Sequence, residues 1–130
     1  MKKQIVIDGF KIYDKTSLYE ELNRKLMPDE DWKMGESLDT LNDVLYGGFG
    51  EIHGKEPIVL TWKNFENNQQ LFGFDFTLSF YENKLKFPEQ FNSKFIQKSI
   101  EELKNGTGKT YFEIIVEIIA EHPNIELVRN

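Results

Sequence analysis

The sequence contains no cysteine, and its 130 residues include two histidines and four prolines. The absence of cysteine excludes disulfide frameworks, thiolate nucleophiles and cysteine-ligated zinc sites. No metal-ligand spacing connects His53 with His122, so each is predicted to be a lone surface histidine. Serine occurs outside any G-x-S-x-G context, and the sequence therefore shows no evident apparatus for nucleophilic catalysis. We predict neither a cofactor nor a metal site.

Long hydrophobic runs are missing as well. No apolar run approaches the roughly 18 residues that a transmembrane helix needs. No apolar stretch of the length found in secretory signals follows the lysines near the start. We therefore expect a cytoplasmic protein that does not insert into membranes. The length favours a single domain over residues 1–130.

Acidic residues outnumber basic ones by 22 to 16, which gives a net charge of −6. Proteins that bind duplexes use a basic surface, so direct binding to nucleic acid is not expected. Residues 28–56 contain eight acidic and two basic residues, and this window alone carries a charge equal to that of the whole chain. Because the negative field is local, the expected partner is basic.

Hydrophobic periodicity and capping signals predict most of the secondary structure. The expected elements are a strand at Gln4–Asp8, a helix started by a Ser17–Glu20 capping box and ended by Pro28, a helix at Leu38–Tyr46, a strand at Pro57–Trp62, a helix at Phe65–Leu71, helices at Ser93–Lys104 and Thr110–Glu121, and a strand at Ile125–Val128. The near-continuous apolar run of the middle strand is typical of a strand buried on both faces. This order predicts an α/β fold with one layer of three parallel strands packed by helices.

Residues 72–92 are ambiguous at the level of sequence. Phenylalanine and leucine alternate from Phe74 to Phe80, which suggests a strand or a hairpin arm, and Pro88 then interrupts the pattern. Together with the amphipathic helix that follows, the stretch Phe72–Gly108 could extend the core over the sheet layer. Alternatively, its phenylalanines could form an apolar patch for contact with a partner or a second copy.

The helix predicted at Leu38–Tyr46 has two distinct faces. Its apolar face, expected to meet the core, consists of Leu38, Leu41 and Leu45. A second stripe consists of Asp39, Asn42, Asp43 and Tyr46. Asp43 lies one turn from the like charge of Asp39 and near the helix C-terminus, where the dipole opposes it. Local stability does not explain Asp43, so we interpret the stripe as a docking face for a cationic groove; an ordinary solvated face is the alternative.

Several motifs follow one another in an informative order. They are Val6-Ile7-Asp8-Gly9, then Leu18, Leu22 and Leu26, then Gly35-Glu36-Ser37-Leu38-Asp39-Thr40-Leu41-Asn42-Asp43-Val44-Leu45, then Pro57-Ile58-Val59-Leu60 with Trp62 and Phe65-Glu66, and finally Glu117 with Ala120-Glu121. The string G-E-[NS]-L-D-x-L-x-D-x-L is the most specific of them. Together these motifs resemble those of the barstar family, intracellular inhibitors of secreted bacterial ribonucleases. Relative to that family, the chain has an insertion at about residues 72–108, before the last helix.

The resemblance implies a barstar-like fold and an inhibitor rather than an enzyme. It implies a one-to-one complex in which the second helix and the adjoining loop enter the active site of a basic nuclease. By position, Asp43 would take the place of a substrate phosphate, and Asp39 would pair with an arginine. Gly47 corresponds to a loop glycine at the interface, and Glu117 to a glutamate of the last helix that reaches the same basic surface.

The aromatic positions depart from the family pattern. The family's paired aromatics before the Gly-Glu step fall at Lys33 and Met34 here, with Trp32 one place earlier. The tryptophan between the two aspartates is Asn42, and Tyr46 precedes the loop glycine. Because aromatics supply much of the binding energy of an interface, the cognate partner is expected to differ from the family's best-known nuclease. The predicted partner-binding residues are Trp32, Glu36, Asp39, Asn42, Asp43, Tyr46, Gly47 and Glu117.

The favoured function is therefore that of an immunity protein against a toxin ribonuclease, in a toxin–antitoxin or contact-dependent inhibition system. One alternative is an immunity protein of the same fold against a deoxyribonuclease or another enzyme with a cationic cleft. Another is a small hydrolase that uses Asp39, Asp43 and Glu117 as acid/base or metal-binding carboxylates. This last alternative lacks an accompanying histidine or nucleophile, and an exposed helix face is not a pocket.

Overall fold

The computed structural model describes residues 2–130. The described chain contains three β-strands and six α-helices, with a short 3₁₀ turn at Gly9–Lys11 after the first strand. In chain order they are β1 (Lys3–Asp8), α1 (Lys15–Leu26), α2 (Leu38–Leu45), β2 (Ile58–Lys63), α3 (Phe65–Leu71), α4 (Phe74–Lys84), α5 (Ser93–Asn105), α6 (Tyr111–Ala120) and β3 (Ile125–Arg129).

The three strands form one parallel sheet in the order β1-β2-β3. This confirms the predicted α/β fold with a single layer of three parallel strands. The central strand differs from the expectation in one respect. Ile58, Leu60 and Trp62 are buried, whereas Val59 and Thr61 on the other face are half-exposed. At β2, therefore, only one face of the sheet is fully covered. The prediction from the apolar run, that this strand is buried on both faces, is wrong.

A buried amide locks the end of β1 to β2 and α3. The Nδ2 group of Asn68 donates to the carbonyl of Gly9 at 3.1 Å, and its Oδ1 accepts from Nε1 of Trp62 at 2.8 Å. A Cβ on Gly9 would lie 2.0 Å from the carbonyl oxygen of Lys63. Glycine is therefore required at this position by the close approach of the two strands.

The predicted start of α1 is wrong by about one turn. Asp14, not Ser17, is the N-cap: its carboxylate accepts from the backbone N–H of Ser17 at 2.7 Å. The hydroxyl of Ser17 in turn accepts from the backbone N–H of Asp14 at 2.9 Å. Ser17 is thus the third helical residue of a capping box, a role in which its side chain is buried.

The helix α2 begins where the sequence predicts and ends one residue earlier, at Leu45. Ser37 occupies the N-cap position, but its side chain makes no capping hydrogen bond in the structure. Leu41, Val44 and Leu45 are each at most 1 % exposed. The apolar face predicted from leucine spacing therefore meets the core, with Val44 added to it and Leu38 half-exposed at its edge.

The described chain forms two compact units. The first contains the described residues up to Asn68 together with Ile115–Asn130, and so includes the whole sheet, α1 and α2. The second is Gln69–Ile114 and includes α4 and α5. The region around residues 72–108 falls within the second unit. That it is an insertion into one barstar-like domain stays a prediction.

The prediction of a strand or hairpin at residues 72–92 is wrong, because Phe74–Lys84 is helical. Phe72, Phe76 and Phe80 recur every four residues as well as in alternation, so the pattern fits a helix face equally well. In the structure the rings of Phe76 and Phe80 lie 5.2 and 5.0 Å from that of Tyr111. The phenylalanines therefore form an aromatic cluster on one face of a helix and do not belong to a strand.

The other predicted helices of this region are confirmed with small shifts of their ends. Asn92 caps α5, and Gly106 closes it in the left-handed conformation at φ 79°. A T-x-x-E capping box starts α6: the backbone N–H of Thr110 donates to Glu113 at 2.9 Å, and that of Glu113 to the Thr110 hydroxyl at 3.2 Å. Within residues 2–130, no helix is both long enough and apolar enough to cross a membrane.

Candidate functional site

The predicted docking stripe lies on the side of α2 opposite the core. Asp39 and Asp43 are exposed, Tyr46 is 63 % exposed just beyond the helix end, and Asn42 is half-buried. The burial of Leu41, Val44 and Leu45 holds the helix against the first unit. Because one face is fixed in the core, the two carboxylates are presented to solvent in a defined orientation.

The charges on α2 are unbalanced along its axis. Its sequence, LDTLNDVL, contains two aspartates and no basic residue. Asp39 lies in the first turn, where the positive end of the helix dipole stabilises a carboxylate. Asp43 lies in the last turn, where the dipole repels it. The helix therefore carries a negative charge near its C-terminal end that local electrostatics does not favour.

The loop that follows α2 is held in a fixed shape. Gly47 has φ 84°, and a Cβ on it would lie 2.4 Å from the carbonyl oxygen of Gly54. The backbone N–H of Gly54 donates to the carbonyl of Gly47 at 2.8 Å and closes the neck of the loop. At the base, Ile52 is 1 % exposed. The geometry requires glycine at residue 47 because a side chain would collide with the opposite strand of the neck.

The connection between α1 and α2 is tied to this loop. The carboxylate of Glu30 accepts from the backbone N–H of Gly50 at 2.8 Å. The rings of Trp32 and Phe49 meet edge to face at 4.8 Å between centroids. Trp32 remains 44 % exposed, so the predicted aromatic site residue is both braced and accessible. Glu36, at the end of the connection, is exposed and accepts from the Thr16 hydroxyl at 3.4 Å.

Part of the acidic window is neutralised within the protein. The ammonium of Lys3 lies 3.3 Å from a carboxylate oxygen of Glu51 and 3.6 Å from one of Glu56. A hydrogen bond from the backbone N–H of His53 lowers the pKa of Glu56, and Lys3 adds to the effect. Asp39 and Asp43 of the same window lie exposed on α2, apart from these ion pairs.

The surface prediction for the two histidines is half right. The side chain of His53 is 77 % exposed, as predicted, but His122 is only 4 % exposed. Its Nε2 lies 2.8 Å from Oδ1 of Asn42, and its ring meets that of Tyr46 edge to face at 4.6 Å. Burial lowers the pKa of His122, while the neighbouring Glu121 opposes that effect. His122 thus supports α2 from the end of α6 and favours the neutral imidazole.

A sequence signal for His122 did exist. Ile115, Ile119 and His122 are spaced by four and three residues, which places them on one helical face. The two isoleucines are 0 % and 2 % exposed. Continuing the apolar face past the helix end would have predicted a buried histidine, whereas treating the residue as an isolated imidazole did not.

The structure brings Glu117 into the same unit as α2. Glu117 is exposed on α6, and its carbonyl accepts from the backbone N–H of Glu121 at 3.0 Å. The next residue, His122, contacts α2 through Asn42. The end of α6 is therefore held beside the predicted docking stripe through His122.

Two further features bear on the chemistry available to these carboxylates. Within residues 2–130, no three or more His, Asp or Glu side chains form a group that could hold a metal ion. A surface pocket of about 400 Å³ lies at the end of α1. Its lining consists of Glu20, Asn23, Arg24, Met27, Pro28, Glu30 and Lys33. Asp39, Asp43 and Glu117 do not line this pocket, and their side chains lie exposed on α2 and α6.

Comparison with known families agrees with the motifs. Residues 2–78 match the family model described as Barstar (barnase inhibitor). This match covers more than half of the chain, includes all of α2 and the following loop, and ends within α4. Glu117 lies outside the matched range. No curated protein matches the chain at a significant level.

Proposed function

Because this chain belongs to the Barstar family, we propose that it inhibits a ribonuclease by occupying the enzyme's cationic active site with α2 and the loop after it. The complex is one-to-one, and the chain performs no catalysis in it. Inhibition follows from exclusion, since the substrate's phosphates and the carboxylates of the inhibitor need the same basic groups.

The observation that carries this proposal is the presentation of Asp39 and Asp43. Both carboxylates are exposed on a helix whose opposite face is buried. Ordering a flexible acidic segment on binding would cost free energy, and a carboxylate already fixed on a packed helix avoids most of that cost. The unfavourable placement of Asp43 near the helix C-terminus supports a selected role in binding rather than in folding.

Each predicted site residue has a place in this proposal. Asp43 substitutes for a substrate phosphate at the centre of the contact, and Asp39 pairs with a cation nearer the rim. Glu36 and Glu117 extend the negative field toward the same basic surface. The remaining contacts are contributed by Trp32, Asn42, Tyr46 and Gly47.

The biological role that fits best is immunity to a toxin. A cell that makes a secreted ribonuclease needs an inhibitor inside it, and the acidic window would speed the encounter with a basic enzyme. We propose a toxin ribonuclease as the cognate partner, encoded beside this chain. The replacement of family aromatics by Asn42 and Tyr46 favours a partner other than barnase itself.

A titration tests the proposal directly. The nuclease domain encoded nearest the gene and barnase are each mixed with increasing amounts of the chain, and RNA cleavage is measured. We expect activity of the cognate enzyme to fall linearly to zero at one equivalent, with or without prior treatment of the chain with a chelator. Inhibition below one equivalent, or hydrolysis of nucleotides by the chain alone, would contradict the proposal. Inhibition of a deoxyribonuclease instead would replace the partner class and keep the fold of the inhibitor.

A further inference from the structure

The end of α6 makes two contacts with the exposed stripe of α2. The Nε2 atom of His122 lies 2.8 Å from Oδ1 of Asn42, and the imidazole meets the ring of Tyr46 at 4.6 Å with an angle of 76° between planes. Asn42 and Tyr46 are four residues apart, so they are neighbours on the same side of the helix. Asp43 lies between them in sequence and on the same stripe.

We propose that His122 is a positioning residue for partner recognition, because it holds Asn42 and Tyr46 in the orientation in which α2 docks. This inference rests on the proposed function and names a residue that the family motif does not include. At 4 % exposure, His122 itself is too buried to supply a large contact with a partner. Its effect on binding must therefore pass through the two side chains that it touches.

The hydrogen bond determines how Asn42 faces outward. With Oδ1 accepting from Nε2–H of His122, the amide nitrogen of Asn42 is left as a donor at the edge of the stripe. Tyr46 is 63 % exposed although one side of its ring meets the imidazole. An otherwise mobile aromatic side chain is thereby restricted before binding, which reduces the entropy lost in the complex.

The protonation state of His122 agrees with this role. Burial lowers the pKa of the imidazole, and the carboxylate of Glu121 only partly opposes this. The groups that face the ring from α2, Asn42 and Tyr46, are an amide and a phenol ring rather than carboxylates. The neutral ring can therefore keep one N–H donor for Asn42 without a buried charge.

Two substitutions separate the hydrogen bond from the ring contact. His122→Gln keeps a side-chain N–H donor for Asn42 and removes the ring that meets Tyr46. His122→Phe keeps a ring and removes the donor. We expect each to weaken binding to the ribonuclease that the wild-type chain inhibits, by about tenfold for the loss of one coupled contact. The variant that keeps the contact with the larger effect on binding should retain more of the affinity.

The same contact can be removed from its other side, in case a variant of His122 does not fold. Asn42→Ala should weaken binding by a similar factor, and combining it with His122→Phe should add little, because both remove one hydrogen bond. Asn124→Ala serves as the control, since it removes a partly buried hydrogen bond to the carbonyl of Glu56 in the same unit and leaves α2 untouched. It should lower the melting temperature without changing the dissociation constant.

The outcomes distinguish a failure of the proposed function from a failure of the positioning role alone. A wild-type chain that inhibits no ribonuclease overturns the proposed function and this inference with it. A wild-type chain that inhibits, together with Asn42 and His122 variants that bind as tightly as the Asn124→Ala control, overturns the positioning role alone. Strictly additive losses in the double variant would also overturn it, because the two residues would then act independently.

Discussion

The two compact units of the chain use their side chains in contrasting ways. In the first unit, the large aromatic residues Tyr19 and Trp62 are buried, and the exposed stripe of α2 is charged and polar. In the second, aromatic rings make up the central cluster: Phe72 and Phe76 meet at 5.0 Å, and Phe80 lies 5.0 Å from Tyr111. A lysine ammonium, that of Lys84, lies 4.3 Å from the centroid of Phe80.

This contrast suggests that recognition and added stability are carried by different parts of the chain. The family match covers the whole of α2 but only the beginning of the second unit. Changes of the exposed carboxylates of α2, Asp39 and Asp43, should therefore alter binding and leave stability almost unchanged. Changes in the aromatic cluster should alter stability and leave binding almost unchanged. A residue that moved both quantities together would break the comparison.

The largest effect is expected from Asp43→Ala. If this carboxylate replaces a phosphate, its removal leaves buried cations of the enzyme without a counter-charge, and binding should weaken by about 3–5 kcal/mol. Folding should be unaffected or improved by a few tenths of a kcal/mol, roughly, because a like-charge neighbour and an unfavourable dipole contact are removed. Calorimetric titration of the ribonuclease and thermal unfolding of the free chain measure the two quantities.

Asp75→Ala is the matched control for this substitution. Asp75 is exposed in the first turn of α4, in the second unit. Its replacement by alanine removes one negative charge, as Asp43→Ala does. We expect its dissociation constant to remain close to that of the wild type. If Asp43→Ala bound as tightly as Asp75→Ala, α2 would not be the element that enters the active site.

The second prediction concerns the interior of the second unit. Thr77 is fully buried, and its hydroxyl donates to the carbonyl of Gly73 and accepts from the backbone N–H of Tyr111, both at 2.7 Å. Thr77→Val preserves the shape but leaves that N–H without its partner, which should cost about 2 kcal/mol of stability. Thr77→Ser keeps the hydroxyl and is the control. Equal melting temperatures for the valine and serine variants would show that the hydrogen bonds contribute nothing.

Much of the first unit was predictable because its signals do not compete. The run at Gln4–Asp8, the apolar run of β2 and the leucine spacing of α2 each predict one kind of element. The structure confirms all three elements, although β2 is buried on one face only. The start of α1 was less predictable, since Asp14 and Ser17 are both good caps. Their reciprocal hydrogen bonds resolve the choice only when the backbone is folded.

The helix α4 of the second unit shows where sequence patterns fail. Phenylalanine at residues 72, 76 and 80 satisfies a period of two and a period of four at once, so local periodicity could not separate strand from helix. Tertiary packing against Tyr111, more than thirty residues away, favours the helix. The same limit applies to the candidate site. The contact of His122 with Asn42 joins residues 80 positions apart, so no local sequence pattern predicts it. Which residues bind the partner stays a prediction.

The third prediction sharpens the comparison within α2 itself. Asp39 lies in the first turn, and we expect it to contact the partner near the rim. Asp39→Ala should weaken binding by about 1 kcal/mol, mainly through a slower association rate at low ionic strength. Stopped-flow measurements at increasing salt concentrations test this. Salt should slow association of the wild-type chain strongly and of the variant less; an unchanged salt dependence would show that Asp39 does not contribute to steering.

The smallest effect concerns the dependence of stability on pH. Burial lowers the pKa of His122 in the folded chain below its ordinary value of 6.5, with Glu121 opposing the change. As the pH falls below that value, the unfolded chain binds a proton more readily than the folded one, so stability is lost. Above it, both states carry a neutral imidazole, and the group makes no contribution to the pH dependence.

Comparison with His122→Gln isolates this contribution, because glutamine does not titrate. The wild-type chain should lose stability relative to the variant between the ordinary pKa and the lowered one, and the difference should be constant at higher pH. Urea unfolding of both proteins from pH 5 to pH 8 measures it. A difference that stays constant through the acidic range would mean that His122 titrates alike in both states, and that the imidazole supporting α2 is less desolvated than its burial indicates. Because His122 contacts the docking stripe, a loss confined to acidic pH would identify a residue of the first unit that affects stability as well as recognition, which is the kind of residue that breaks the comparison between the two units.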